Sequence, residues 1–128
     1  MADANYPTGL LYHPEHAWAA ISDGIATVGI SWFAQDALGE VVFFDPAPLA
    51  AILEAGSSCG ELESLKAVSE VVAPLSGELI EINAAVEQQV ELINGDPYGA
   101  GWLLRIRCSV AEQEQSLLSA EAYQALLA

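Results

Sequence analysis

The chain has almost no positive charge. Its 128 residues include three lysines and arginines in total against 18 aspartates and glutamates, a formal net charge of −15 at pH 7. Such a surface repels a phosphate backbone, which argues against a nucleic-acid partner. Its plain meaning is solubility, and steering toward partners with basic docking surfaces is a compatible second role. Cysteine is scarce as well. Cys59 and Cys108 stand far apart with no second pair, so they form neither a zinc pattern nor a disulfide framework and read as small core side chains. No apolar run reaches the length of a membrane span, so no membrane association is expected. The opening Met1-Ala2-Asp3-Ala4-Asn5 lacks the basic start of a signal peptide and the arginines of a transit peptide, which points to a cytoplasmic protein.

What remains is apolar enough to fold. Hydrophobic residues make up 53% and the mean hydropathy is +0.35, which excludes disorder despite the charge. At this length one domain is expected over residues 1–128, with a body at about 12–108 and a C-terminal helical segment at about 110–127.

The scarcity of basic residues singles out Lys66, the one lysine of the sequence. It sits in Glu61-Leu62-Glu63-Ser64-Leu65-Lys66-Ala67-Val68-Ser69-Glu70-Val71-Val72-Ala73-Pro74. Leu62, Leu65, Val68, Val71 and Val72 are β-favouring neighbours, Gly60 precedes the first arm, and Ala73-Pro74 with Ser76-Gly77 closes the second. Two short antiparallel strands with Lys66 at their connection follow from this pattern. A lysine at such a tip projects into water, where an enzyme can reach it. The bland alternative is an ordinary solvated turn lysine. Against that stands a chain that uses lysine once, so a modifying enzyme meets one side-chain amine.

Elsewhere the chain reads mostly as strands. Trp18, Ala20 and Ile21 form one run and Ile25 to Ile30 a second, with the hairpin residues Ser22-Asp23-Gly24 between them. Ser31 caps a short helix over Trp32 to Leu38, stopped by Gly39. A strand from Glu40 to Phe44 ends at Asp45-Pro46-Ala47-Pro48, while Leu49 to Glu54 is helix-compatible on composition alone. Gly39-Glu40-Val41, Gly60-Glu61-Leu62 and Gly77-Glu78-Leu79 each open an expected strand after a turn glycine, at offsets too unequal for a solenoid. A turn of helix is expected near Ala84 to Gln88. Asn94 to Gly101 is dense turn sequence but lacks the lysine and helix start of a phosphate loop. Trp102, Leu104 and Ile106 alternate with Arg105 and Arg107, a strand with its basic residues turned outward. Ser109-Val110-Ala111-Glu112 fits a capping box, and Leu118, Ala122, Tyr123 and Leu126 form a helical stripe for packing. His13 and His16 lack further ligands nearby and read as polar residues at a strand start, not a metal site.

The segment Glu63-Ser64-Leu65-Lys66-Ala67-Val68-Ser69-Glu70, with Ala73-Pro74 and Ser76-Gly77-Glu78 beyond it, resembles the H protein of the glycine cleavage system, a lipoyl carrier. The similarity extends to Tyr12-His13-Pro14-Glu15-His16-Ala17-Trp18, Ala26 to Ile30, Phe33 to Phe43, Glu81-Ile82-Asn83, Leu92-Ile93-Asn94, Asp96 to Trp102 and Glu121-Ala122-Tyr123. It therefore runs in order from about Tyr12 to Leu127. The resemblance implies a mainly β fold, a flattened β-barrel/sandwich hybrid of the lipoyl-domain type with a short internal helix and a C-terminal helix. It also implies a strand, not a helix, between Leu49 and Glu54.

Functionally, the resemblance implies a monomeric, non-catalytic carrier with lipoate joined to Lys66 by an amide. Glu63, Ser64 and Ala67 would flank the lysine for recognition by a lipoate ligase or lipoyltransferase. Glycine decarboxylase (P protein) would load an aminomethyl group, aminomethyltransferase (T protein) would pass the one-carbon unit to tetrahydrofolate, and dihydrolipoyl dehydrogenase (L protein) would reoxidise the dithiol. Glu15, His16 and Glu70 are the residues carried over to a cleft that shelters the loaded arm. One departure stands out: the family usually has His-Glu-Trp where this chain has His16-Ala17-Trp18. If the stretch is extended, Glu15 shares a face with Ala17 and substitutes in part for the missing carboxylate.

Three rivals are weaker. An H-like lipoyl carrier of sulfur oxidation shares the fold and draws weight from Ala17. A biotin carrier would flank its lysine with methionines, and here the neighbours are Leu65 and Ala67. A purely structural domain would have no reason to retain a sole lysine at the tip. An enzyme is not indicated either: the carboxylates fall in turns and on solvent faces, and Ser57, Ser58 and Ser64 have no positioned base.

Overall fold

Two antiparallel sheets form the body in a computed structural model that describes residues 5–108 and 117–127. In chain order the strands are β1 (Leu11–Tyr12), β2 (Ala17–Ser22), β3 (Ile25–Ile30), β4 (Val41–Pro46), β5 (Ile52–Leu53), β6 (Ser58–Ser64), β7 (Val68–Val72), β8 (Gly77–Ile82) and β9 (Leu104–Cys108). Helix α1 (Trp32–Leu38) lies between β3 and β4. Helices α2 (Ala84–Gln88) and α3 (Leu92–Gly95) lie between β8 and β9, and α4 (Ala120–Leu127) follows β9. The larger sheet runs β1-β2-β3-β9-β8-β5 and the smaller β4-β6-β7. This is the mainly β sandwich that the resemblance implies.

Period-two alternation explains how the sheets share a core. Ala26, Val28, Leu79, Leu104 and Ile106 of the larger sheet and Val41, Phe44, Leu62 and Val71 of the smaller are buried in one cluster, with Leu38 of α1. In β2 both faces are covered. Ala19 joins that core, while Trp18 joins a second cluster with Tyr6, Tyr12, Ala120 and Tyr123 on the opposite side of the sheet. Helix α4 thus closes the outer face near β1 and β2, and Tyr12 bridges Leu118 in backbone pairing.

Local signals act as the chemistry dictates. Ser31 accepts a hydrogen bond from the Ala34 backbone N–H at 3.2 Å, and Gly39 ends α1 with φ 84°, a conformation that costs a side chain dearly. Asp23 and Gly24 both take positive φ in the β2–β3 turn. Ile52 and Leu53 pair with Glu78 and Gly77, so the segment between Leu49 and Glu54 contains a strand as the family pattern implies. Ala50 has φ 71°, which interrupts any helix there. Helix α2 falls on Ala84 to Gln88 as expected, capped by Asn83.

Four expectations need correction. Gly60 does not precede its strand: it lies within β6, at a register irregularity between Ser58 and Gly60, where an added Cβ would sit 3.1 Å from the Asp45 carbonyl. Trp102 does not share a face with Leu104 and Ile106. It precedes β9, outside the alternation, and the Arg105 guanidinium lies 4.1 Å from its ring centroid. The α4 stripe is also different. Ala120 and Tyr123 are buried, Ala122 and Leu126 are exposed, and Leu118 packs from outside the helix. Finally, α3 takes in Asn94 and Gly95, the first two residues of the stretch Asn94 to Gly101 read as turn sequence. The expected capping box at Ser109 to Glu112 lies outside the described residues.

Candidate functional site

Lys66 is the middle residue of the Leu65-Lys66-Ala67 connection between β6 and β7, whose last pair is Glu63 with Val68. Neither Leu65 nor Lys66 has positive φ, so this is not one of the primed turns that match strand twist. Ser64 supplies what the backbone lacks. Its N–H donates to the Ala67 carbonyl at 2.8 Å, and its Oγ accepts from the backbone N–H groups of Lys66 (3.2 Å) and Ala67 (3.0 Å). The Leu65 N–H donates to the Glu40 carbonyl at 3.2 Å, pinning the tip to the chain leaving α1. Ser64 is buried, whereas Leu65, Lys66 and Ala67 are exposed. The tip is a solvent-facing amine on a rigid base.

Beside the hairpin lies a cleft of about 330 Å³, at the lower end of the range for small-molecule sites. Its walls come from β7 (Val68 to Val72), from β6 through Leu62, from α1 through Phe33, Ala34, Ala37 and Leu38, and from the segment Glu15 to Ala17. Carboxylates at Glu15 and Glu70, with His16 and Ser69, border a mainly apolar hollow. The structure thus brings Glu15, His16, Ala67 and Glu70 together on one cleft. It does not bring Glu63 there: that residue is exposed on the smaller sheet, paired across the strands with Phe43 and Val68. The lysine stem in this conformation leans the other way, toward Gly39.

The segment at Glu15 is not extended, which corrects the reading of Glu15 and Ala17 as alternate residues on one face. His16 has φ 76°, a left-handed conformation held by its N–H donating to the His13 carbonyl and its carbonyl accepting from Ser31 N–H. Ala17 is buried in the cleft wall and Glu15 is exposed at the cleft. The His16 ring packs on Phe33 with centroids 4.7 Å apart, and its Nδ1 lies 2.7 Å from the Tyr123 hydroxyl. Burial lowers the His16 pKa from its ordinary value, with Glu15 opposing, so the ring is held toward its neutral form.

Phe33, the α1 alanines and Tyr123 are the residues that sequence reasoning did not assign to the site. An exposed aromatic on a capped helix was the available signal for Phe33. None existed for Tyr123, which reads as packing until α4 is placed behind His16.

A family model described as glycine cleavage H-protein matches residues 10–128. A glycine cleavage system H protein of Thermobifida fusca is 47% identical over 120 residues, covering 94% of each chain. One from Bacteroides thetaiotaomicron is 43% identical over 123 residues, covering 96% of this chain and 98% of its own. The crystal structure of a glycine cleavage system H protein from Mycobacterium marinum superposes with a TM-score of 0.85 at 38% identity, covering 93% of this chain and 96% of the other.

Proposed function

The chain belongs to the glycine cleavage H-protein family, and from that membership we propose that it is a carrier that bears lipoate on Lys66 and shuttles the aminomethyl intermediate of glycine between the enzymes of the glycine cleavage system. The observation that carries the reading is the sole lysine, exposed at the tip of a hairpin whose base is locked by a buried serine. Glu63, Ser64 and Ala67 flank it for a lipoate ligase or lipoyltransferase. Joined there by an amide, the lipoyl group would supply a dithiol–disulfide couple that carries the one-carbon amine unit.

The residues present fit such an arm. The amine is open to solvent, and the mainly apolar cleft with its two carboxylates begins at the neighbouring Ala67. Apolar walls from Phe33, Leu62 and Val68 exclude water from a sheltered chain, while Glu15 and Glu70 suit a cationic amine at the mouth. The chain itself holds and presents, and glycine decarboxylase, aminomethyltransferase and dihydrolipoyl dehydrogenase perform the chemistry. The related carrier role in sulfur oxidation draws no support from the relatives, which carry the glycine cleavage name.

Intact mass and peptide mapping test this after expression in lipoate-replete cells. One lipoyl group at Lys66, absent in Lys66→Ala, together with loading by glycine decarboxylase, is the expected result. A chain that stays unmodified with lipoate ligase supplied overturns the carrier reading, and lipoylated protein that glycine decarboxylase ignores overturns the pathway.

A further inference from the structure

Behind the cleft, three side chains from distant parts of the sequence meet. The Tyr123 hydroxyl of α4 lies 2.7 Å from Ser31 Oγ and 2.7 Å from His16 Nδ1. Donor and acceptor bookkeeping decides which way these bonds run. Ser31 Oγ already accepts from the Ala34 N–H, and Ser31 is fully buried, so its own hydrogen needs an acceptor. The Tyr123 oxygen is the one it has. The Tyr123 hydrogen then remains for His16 Nδ1, which must be the unprotonated nitrogen. The opposite direction leaves the Ser31 hydrogen buried without an acceptor, a cost that folded proteins avoid.

We propose that Ser31, Tyr123 and His16 form a one-way hydrogen-bond relay that holds His16 as its neutral Nε2–H tautomer, so that the cleft offers one fixed neutral N–H donor to an acceptor atom of the arm it shelters. This rests on the carrier reading only for the identity of the arm. The tautomer follows from the relay alone. Tyr123 acts as a positioning residue: it does not line the cleft and acts on its donor through His16. The left-handed backbone at His16 serves the same end, since it turns the ring toward α4 and against Phe33. With carboxylates at Glu15 and Glu70 on the same cleft, the site pairs acceptors for an amine with a donor for a carbonyl or sulfur acceptor.

Long-range ¹H–¹⁵N correlation spectra of the full-length, unlipoylated chain at pH 8 report the His16 tautomer directly. The expected spectrum shows pyridine-type Nδ1 and pyrrole-type Nε2. Tyr123→Phe, which keeps the stacked ring, is expected to relax His16 into a tautomer mixture. Ser31→Ala, which removes the hydrogen that fixes the direction of the relay, is expected to relax the tautomer likewise. Titration with millimolar lipoamide is expected to shift His16 Nε2 in the wild-type chain at least twice as far as in Tyr123→Phe. A His16 protonated at Nδ1, a tautomer unchanged in Tyr123→Phe, or His16 signals that stand still under lipoamide overturns the proposal. Failure of the carrier reading shows separately, as missing mass on Lys66.

Discussion

The stem of Lys66 lies over Gly39, and a Cβ built on that glycine would stand 3.2 Å from the lysine Cε. The contact joins the end of α1 to the hairpin tip. Gly39 is also held at φ 84°, where an L side chain is strained. Gly39→Ala therefore meets a backbone cost of about 1–3 kcal/mol, since φ 84° with ψ −161° is a region that glycine alone adopts readily, while the flexible lysine end moves aside at little cost. Chemical denaturation should show that loss with an unchanged fold by circular dichroism. A variant as stable as the parent would mean the helix stop relaxes without strain.

Ser64→Ala should damage the tip more than its size suggests. The hydroxyl satisfies the N–H groups of both Lys66 and Ala67, and the serine is buried. Removing one oxygen strands two donors at a turn whose dihedrals cannot replace it. A loss of about 1–3 kcal/mol follows, together with faster amide exchange confined to residues 64–67. Exchange rates at the tip that match the parent would remove the clamp from the account of this turn.

Much of this architecture was legible because its signals are local. Ser31 and Gly39 bracket α1 by capping chemistry, and the valines after Lys66 mark β7 by composition. The cleft was less legible, since its walls come from segments far apart in sequence and meet only when α1 lies across β7. Glu15 and Glu70 were placed through family resemblance, whereas Phe33 and Tyr123 carry no local mark of their roles. Trp102 was misplaced for a related reason. Alternation presumes an unbroken strand, and the residues before Leu104 leave that regime, which turns the indole onto Arg105. Gly60 failed because a glycine within a bulge reads like a glycine before a strand.

Alkaline pH should unfold this chain through its tyrosines. Burial pushes the hydroxyls of Tyr12 and Tyr123 up to about 12 from 10.0, and raises that of Tyr98 as well. The buried Cys59 thiol is pushed up to about 12 from 9.0. In each case the folded state keeps a proton that the unfolded state releases sooner. Their stabilising effect is therefore complete below the ordinary values and fades as pH rises toward 12. Tyr12 and Tyr123 each cost about 1.4 kcal/mol per pH unit within the window between 10 and 12. Denaturant midpoints should fall steeply there, with the phenolate absorbance of Tyr12, Tyr98 and Tyr123 appearing only as the fold is lost. Phenolate from these three forming at pH 10 in folded protein would contradict their burial.

Gly29→Ala tests how β3 seats the second cluster. Trp18 pairs directly with Gly29 across β2 and β3, and its indole lies where a side chain would stand, with Nε1 2.6 Å from a built Cβ. The ring has little freedom to retreat: Nε1 donates to the Pro97 carbonyl at 3.0 Å, and Tyr98 packs against it with centroids 5.9 Å apart. A methyl group must therefore push the indole off its acceptor or spread the strands. Either route costs at least about 1–3 kcal/mol, the usual range for an overfilled core, with the broken indole bond adding to it. The variant should melt several degrees lower and show altered tryptophan fluorescence. Because the β6–β7 hairpin belongs to the smaller sheet, the proposed lipoylation at Lys66 should proceed at the parent rate in the folded fraction. Fluorescence and melting like the parent's would mean that the indole moves freely and that Gly29 is not its seat.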